Sequence, residues 1–298
     1  MASLKEVKDR IDSVKSTKKI TSAMKMIASS KLRKSQQAIT SFLPYSIKLN
    51  EILTNLLASD SSIDSPYAEV REVQKIAIVA FSSNSSLCGS FNANIIKEVN
   101  STVTKYVNIV GKDNVVVYPI GKKIADFVKK TGFLAQQNPD YLIMADKPAF
   151  PPVLELSKEL VKKFLSKEFD KIILIYTHFQ STGVQIVTNS EYLPFDLQGA
   201  QTKAQENQKK TETDYILEPS KEELLSHLIP KVLASNLFAA LLDSNASENA
   251  ARSLAMQIAT DNADELVQDL TIEYNKNRQA AITNELLDII GGAAALQQ

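Results

Sequence analysis

About seventy residues without a glycine restrict this chain more than anything else in it. From Ser220 to Ile290 there is no Gly, and the one Pro is Pro230. Ser220 followed by Glu223 has the form of a capping box, whose hydroxyl and carboxylate satisfy orphan N–H groups at a helix start. Apolar residues then recur every three or four positions: Leu224, Leu228, Val232, Leu237, Leu241, then Leu254, Ile258, Leu266, Leu270, Ile282, Leu286 and Ile289. A helix of that length, at ~1.5 Å per residue, measures on the order of 100 Å and cannot lie on one globular domain. Asp261, Asp264, Glu265, Asp269 and Glu273 interrupt the apolar stripe and exclude a membrane span. A long coiled element remains.

The N-terminus offers it a partner. Leu4, Val7, Ile11 and Val14 follow the 3-4-3 spacing of a heptad seam. Continuing that phase puts Lys18 in the seam, whereas apolar residues resume at Ile20, Met24 and Ile27, so a phase shift and a locally distorted supercoil are expected there. The helix should reach Leu57, with a kink or break at Pro44. Lys5 to Lys34 holds ten basic against three acidic residues, and Arg252 to Ile290 three against seven. Opposite charge favours pairing between the two helices over pairing of either with itself. If both dock on one middle domain they run antiparallel. The second helix is longer, so its tip should project ~15–30 Å beyond its partner. That tip, Leu286 to Leu296, is apolar on nearly all sides and requires burial in something else unless it frays.

The middle of the chain alternates strands and helices. Strands are expected at Lys75–Phe81, Val115–Ile120, Ile172–Phe179 and Val184–Leu193, the last an edge. Helices are expected at Phe91–Val110, Ile124–Lys130 (closed by Gly132) and Pro152–Phe169. This is the pattern of a mostly parallel sheet covered on both faces. The expected organisation is an N-terminal coil helix at 1–58, an α/β domain at 73–194, a polar linker at 195–219 and a C-terminal coil helix at 220–298. The fold class is therefore α/β, a Rossmann-like domain inserted between two long antiparallel coiled helices.

Composition narrows the function. Hydrophobic content of 44% and 23% charged residues are ordinary for a globular protein, but eight glycines, where average usage predicts ~20, suit long helices better than a loop-rich enzyme. With 34 basic and 34 acidic residues, nothing indicates a nucleic-acid binder. One cysteine, Cys88, allows neither an internal disulfide nor a multi-Cys metal site. No signal peptide and no apolar run of membrane length are expected, so membrane association would come through partners. The loop after the first strand, Ser82 to Ser90, lacks the glycine spacing of a phosphate or dinucleotide loop. Cys88 and His178 both fall near strand ends, which leaves a Cys–His pair conceivable, although a packed His is the commoner outcome there. His227 reads as a surface residue of the long helix.

Two sets of residues also carry a family resemblance. One runs through Ser247-Glu248, Ala251-Arg252, Ala255-Met256, Ala259-Thr260-Asp261-Asn262-Ala263, Asp269-Leu270-Thr271, Tyr274-Asn275-Lys276, Arg278-Gln279-Ala280, Ile282-Thr283, Glu285-Leu286 and Gly291-Gly292-Ala293. The other runs through Arg10-Ile11, Ser13-Val14, Thr17, Lys19-Ile20-Thr21, Ala23-Met24, Met26 and Ala28 to Arg33. Together they resemble the gamma subunit of F-type ATP synthases. The middle agrees at Ser83, Leu87, Cys88, Gly89, Phe91, Asn92 and Asn94. There Asn84, Ser85 and Ser86 stand where the family usually has an acid, a base and a glycine. The second cysteine of the photosynthetic regulatory disulfide is also lacking.

The resemblance implies a rotor, with no catalytic, cofactor-binding or metal-binding residue. Its helical hairpin would sit in a ring of alpha and beta subunits, and its α/β domain on the epsilon subunit and the c-ring. It would be peripheral to a cell inner membrane, on the cytoplasmic side. By motif match, Met24, Arg252, Gln279, Thr283 and Glu285 fall where the family contacts the ring, and Ile289 lies in the seated tip. Read from the residues alone, Arg252 could instead pair with an acid of the first helix. Gln279 and Thr283 could be plain helix surface, and Met24 seam packing. A coiled-coil scaffold and a stand-alone α/β enzyme with a helical arm are the other classes open.

Overall fold

The computed structural model describes residues 4–58, 66–195 and 220–295. The order is α1 (Leu4–Ala58), β1 (Ile76–Phe81), α2 (Phe91–Val110), a 3-10 turn at Lys112–Asn114 and β2 (Val115–Ile120). There follow α3 (Lys122–Thr131), β3 (Leu134–Ala135), α4 (Asp140–Asp146), α5 (Phe150–Leu165), β4 (Lys171–Phe179), β5 (Gln185–Leu193) and α6 (Lys221–Ala295). The chain forms two compact units, Met1–Ala28 with Arg252–Gln298, and Ser29–Ala251. Both long helices run through both units. The polar linker expected at 195–219 lies, except for Phe195, outside the described residues.

The Ser29–Ala251 unit is built on a five-stranded sheet in the order β3-β2-β1-β4-β5, parallel except for β5. Every residue of β1 is buried, as its unbroken Ile-Ala-Ile-Val-Ala-Phe run requires of a central strand. Its alternate side chains feed two cores. Ile76, Ile78 and Ala80 pack with α2 and α3 through Ile95, Val99, Val103, Ile124 and Val128. Ala77, Val79 and Phe81 face a larger core made with α4, α5, the end of α1 (Leu49, Leu53, Leu56) and the start of α6 (Leu225 to Leu241). The long helices thus cover one face of the sheet.

Several expectations change. β3 and α4 carry too little periodicity to be read from the sequence. α5 starts two residues early and ends at Leu165, so Phe169 enters the core from outside the helix, fully buried. Pro44 does not break α1. Its lost N–H and ring clash cost ~3 kcal/mol in a helix interior. Against that, Phe42 stacks edge-on against Phe238 with centroids 5.0 Å apart, and Leu49 and Leu53 are buried beyond the proline. Contacts on both sides of Pro44 hold the helical phase. Ser220 caps α6 as expected, its hydroxyl accepting from the Glu223 N–H at 3.2 Å. One stretch within Glu223–Ile290 is, by composition, apolar enough to cross a bilayer, contrary to the sequence expectation. As 56% of it is buried inside the protein, it reads as a core helix.

Candidate functional site

In the other unit, residues 4–28 of α1 lie along α6 from Arg252. Lys18 forms an ion pair with Asp264, and the Thr260 and Thr21 hydroxyls are hydrogen-bonded at 2.9 Å. Val7 and Ile11 cluster with Leu270, with Val14 and Tyr274 packed beside them. Numbers rise on one helix as they fall on the other, so the pair is antiparallel. The basic–acidic match expected from composition is seen directly at Lys18 and Asp264.

The seam holds only part of the aliphatic residues. On α1 the buried or half-buried positions in this unit are Leu4, Val7, Ile11, Val14, Lys18, Thr21, Lys25 and Ala28, an unbroken heptad, with Ser22 and Met24 half-buried on its flanks. The expected phase shift is absent. Ile20, at 61% exposure, and Ile27 point outward instead. On α6 the seam runs through Met256, Thr260, Ala263, Val267, Leu270, Tyr274 and Asn277. Of the distal apolar stripe read from the sequence, Leu270 alone lies in it, whereas Leu254, Ile258, Leu266, Ile282, Leu286 and Ile289 are exposed. Val7, Ile11 and Leu270 pack one stretch of the seam, whereas from Lys18 to Ala28 the first helix contributes small and polar residues and Ile20 and Ile27 line the outside. The sequence did carry the signal: keeping the first phase through Lys18 predicts each of these α1 positions.

This register sets Leu4 opposite Asn277, so Arg278 to Ala295 faces no described residue of α1. At ~1.5 Å per residue that is about 27 Å of unpartnered helix, at the upper end of the expected overhang. From Ile282 to Ile290 every residue is exposed, including Leu286, Leu287, Ile289 and Ile290.

The six candidate residues fall in two groups. Met24 and Arg252, both half-buried, lie in the paired part of the coil. Gln279, Thr283, Glu285 and Ile289 are exposed on the overhang. Some 40 Å of helix separates Arg252 from Gln279, so the structure does not bring the groups together. At ~100° per residue, Gln279 and Thr283 share one face, and Glu285 and Ile289 another, about 120° round the helix. The Thr283 hydroxyl is taken up by the Gln279 carbonyl at 2.9 Å. Such an arrangement can be gripped from all sides. It offers no cleft for chemistry.

The α/β unit was the alternative place for a site. Ligands of doubly wound sheets bind beyond the strand C-termini where the strand order reverses, here between β1 and β4. α6 occupies the β4 side of that position. The Ser247 hydroxyl donates to the Thr177 carbonyl at 3.0 Å, and Asp243 accepts from the Phe179 N–H at 3.1 Å while holding the His178 ring at 2.5 Å. Burial, with the Asp243 carboxylate nearby, raises the Tyr176 phenol above its usual value. Cys88 is buried among Ser83, Ser85 and Asn92, whose amide approaches its sulfur at 3.0 Å. No contact among the described residues joins Cys88 to His178, so the conceivable Cys–His pair is not formed. No cluster of three or more His, Cys, Asp or Glu suited to a metal occurs among the described residues.

The altered loop has a structural task. The Asn84 side chain accepts from the Lys122 N–H at the start of α3 (3.0 Å) and donates to the Leu142 carbonyl of α4 (2.7 Å). An ionised carboxylate at 84 could make the first bond but has no donor for the second. Beside it, Gly121 sits at φ +109°, and a Cβ there would lie 2.2 Å from the Ser82 carbonyl oxygen.

Residues 3–296 match the ATP synthase family. The ATP synthase gamma chain of Bacteroides thetaiotaomicron is 56% identical, covering 98% of this chain and 99% of that one. That of Flavobacterium johnsoniae is 46% identical over 99% of both. Among solved structures, a chain of the Euglena gracilis mitochondrial ATP synthase (OSCP/F1/c-ring, rotational state 3) shares the fold at TM-score 0.63 and 19% identity, covering 98% of this chain and 94% of that one. A chain of the Tetrahymena thermophila central stalk/c-ring shares it at TM-score 0.56 and 22% identity, over 80% and 99%. The chain belongs to the gamma-subunit family of F-type ATP synthases.

Proposed function

We propose that this chain is the rotary central stalk of an F-type ATP synthase, passing torque between transmembrane ion flow and a catalytic ring of alpha and beta subunits. Besides family membership, one observation carries the reading. From Lys18 to Ala28 the first helix puts small and polar residues in the seam, while Ile20, Ile27, Ile258 and Ile272 turn outward and Leu286, Leu287, Ile289 and Ile290 are exposed at the tip. An exterior of that kind marks a surface that another protein covers. The chain does no bond chemistry. An asymmetric shaft touches each of several equivalent sites differently, so its rotation shifts their conformational equilibria in turn.

Met24, Arg252, Gln279, Thr283, Glu285 and Ile289 are the proposed ring contacts. The epsilon subunit and c-ring are the proposed partners of the α/β unit. The chain then reaches the cytoplasmic face of the inner membrane through them. Immunoprecipitation of the untagged chain from gently solubilised membranes should recover alpha and beta subunits at about three each, with ATPase activity that depends on it. Recovery of the chain alone or as a homodimer refutes the assignment. Removing residues from Ile289 onward should loosen seating in the ring and leave the circular dichroism of the α/β unit intact. A loss of helicity across the whole protein would count against the seated tip.

A further inference from the structure

A groove of about 860 Å³ runs between α5 and α6 in the sheet-bearing unit, with Tyr45 of α1 also lining it. α5 contributes Leu154, Lys158, Val161, Lys162 and Leu165, a stripe at helical spacing. That stripe is about 16 Å long, or three helical turns. α6 contributes His227, Pro230, Lys231 and Ala234. Val161 and Ala234 are buried and Leu154 and Pro230 half-buried, whereas the three lysines and His227 are exposed. Apolar groups therefore form the floor, and three lysines and a histidine the rim.

The charge of the rim is one-sided. No acidic residue lines the groove among those described, although the chain carries as many acids as bases. Lys158 donates to Glu155 at 2.8 Å, and Glu155 belongs to the adjacent concavity beside Tyr141. Lys162 and Lys231 supply the remaining positive field. Two adjacent helices leave a trough between their side-chain ridges, into which a third helix fits with anchors at i, i+3 or i+4, and i+7. We infer that this groove seats a three-turn amphipathic helix of a partner protein, with aliphatic residues on its inner face and Asp or Glu along both flanks. The lysines select the partner by charge and speed its encounter, and the floor supplies most of the affinity.

Fluorescence anisotropy on the full chain tests this. The probe is a fluorescein-labelled fifteen-residue helical peptide with leucines at three- and four-residue spacing and flanking glutamates. Its companion has lysines in place of the glutamates. The acidic peptide should bind about tenfold more tightly than the basic one. The Lys162→Glu/Lys231→Glu double variant should invert that order, and Val161→Asp should weaken both peptides. These lysines are exposed, so the charge variant should fold normally, as circular dichroism would show. Equal binding of the two peptides, no binding of either, or no effect of the charge swap overturns the inference. So does lysine-dependent binding of phosphatidylglycerol vesicles that the acidic peptide cannot displace, which would assign the groove to a lipid surface.

Discussion

The same two helices behave oppositely in the two units. In the sheet-bearing unit α1 and α6 bury Leu49, Leu53, Leu56, Val232, Leu237 and Leu241, as any globular core would. In the coil unit they bury Thr21, Ala263 and Asn277 at least in part, and expose Ile20, Ile258 and Ile272. The apolar spacing in the sequence is alike in both. In one unit the aliphatic face serves the chain's own stability. In the other, part of it faces outward, and the pair is held by a thin seam with Val7, Ile11 and Leu270 at one stretch and the Lys18–Asp264 ion pair at another.

The largest effect should come from the first kind of position. Leu237→Ala removes a fully buried side chain from the core under the sheet. Loss of transfer energy plus the residual cavity should cost about 2–5 kcal/mol. Urea unfolding of the isolated chain measures it. A cost below ~1 kcal/mol would mean that the start of α6 is held no better than the coil, and the contrast between the units would fail.

How far the sequence could be read follows the same division. Helix positions came from periodicity, and the sheet from strands such as Ile76–Phe81, whose uniform apolarity has one sensible place in a fold. β3, with two residues, and α4, with seven, are too short for a period to show. Apolar spacing places Leu4, Val7, Ile11, Val14 and Leu270 in the seam, where the structure has them, but misplaces Ile20, Ile27, Leu254, Ile258 and Leu266, which are exposed. In a helix destined for a partner, hydrophobicity marks both faces, and only the heptad phase that started at Leu4 separates them. The Cys88–His178 possibility failed for a different reason. Proximity of strand ends is legible in a sequence, but Asp243, 65 residues further along, holds His178. The tasks of Asn84 and the groove between α5 and α6 are likewise tertiary, visible only once distant helices are side by side.

A second experiment sharpens the comparison from the seam. Lys18 and Asp264 sit at a polar layer, with side chains 37% and 50% exposed. An exposed pair of this sort is worth ~0.2–1 kcal/mol, reduced further by solvent screening. Replacing both by leucine should leave stability unchanged or raise it by about 1 kcal/mol, since apolar residues pack a seam at least as well. The cost should appear as lost register specificity, because a polar layer penalises slipped alignments. Disulfide trapping between engineered cysteines at Val14 and Val267 should be efficient in the parent. It should compete with one-heptad slips in the double variant. Unchanged trapping would show that the polar layer does not set the register.

The smallest expected change is the most telling. Ile258 is 51% exposed on the outer face of α6, so Ile258→Ala should alter the stability of the isolated chain by no more than ~0.5 kcal/mol. In the assembled complex the same side chain should be covered. Removing it there should weaken retention of the chain by up to about 2 kcal/mol, the range for truncating a buried aliphatic anchor. Unfolding of the free chain and dissociation of the purified complex under dilution give the two numbers. A large effect in the free chain would place Ile258 in the coil's own core. No effect in either would make the outer aliphatic face ordinary surface, and the proposal that a ring surrounds it would lose its main physical support.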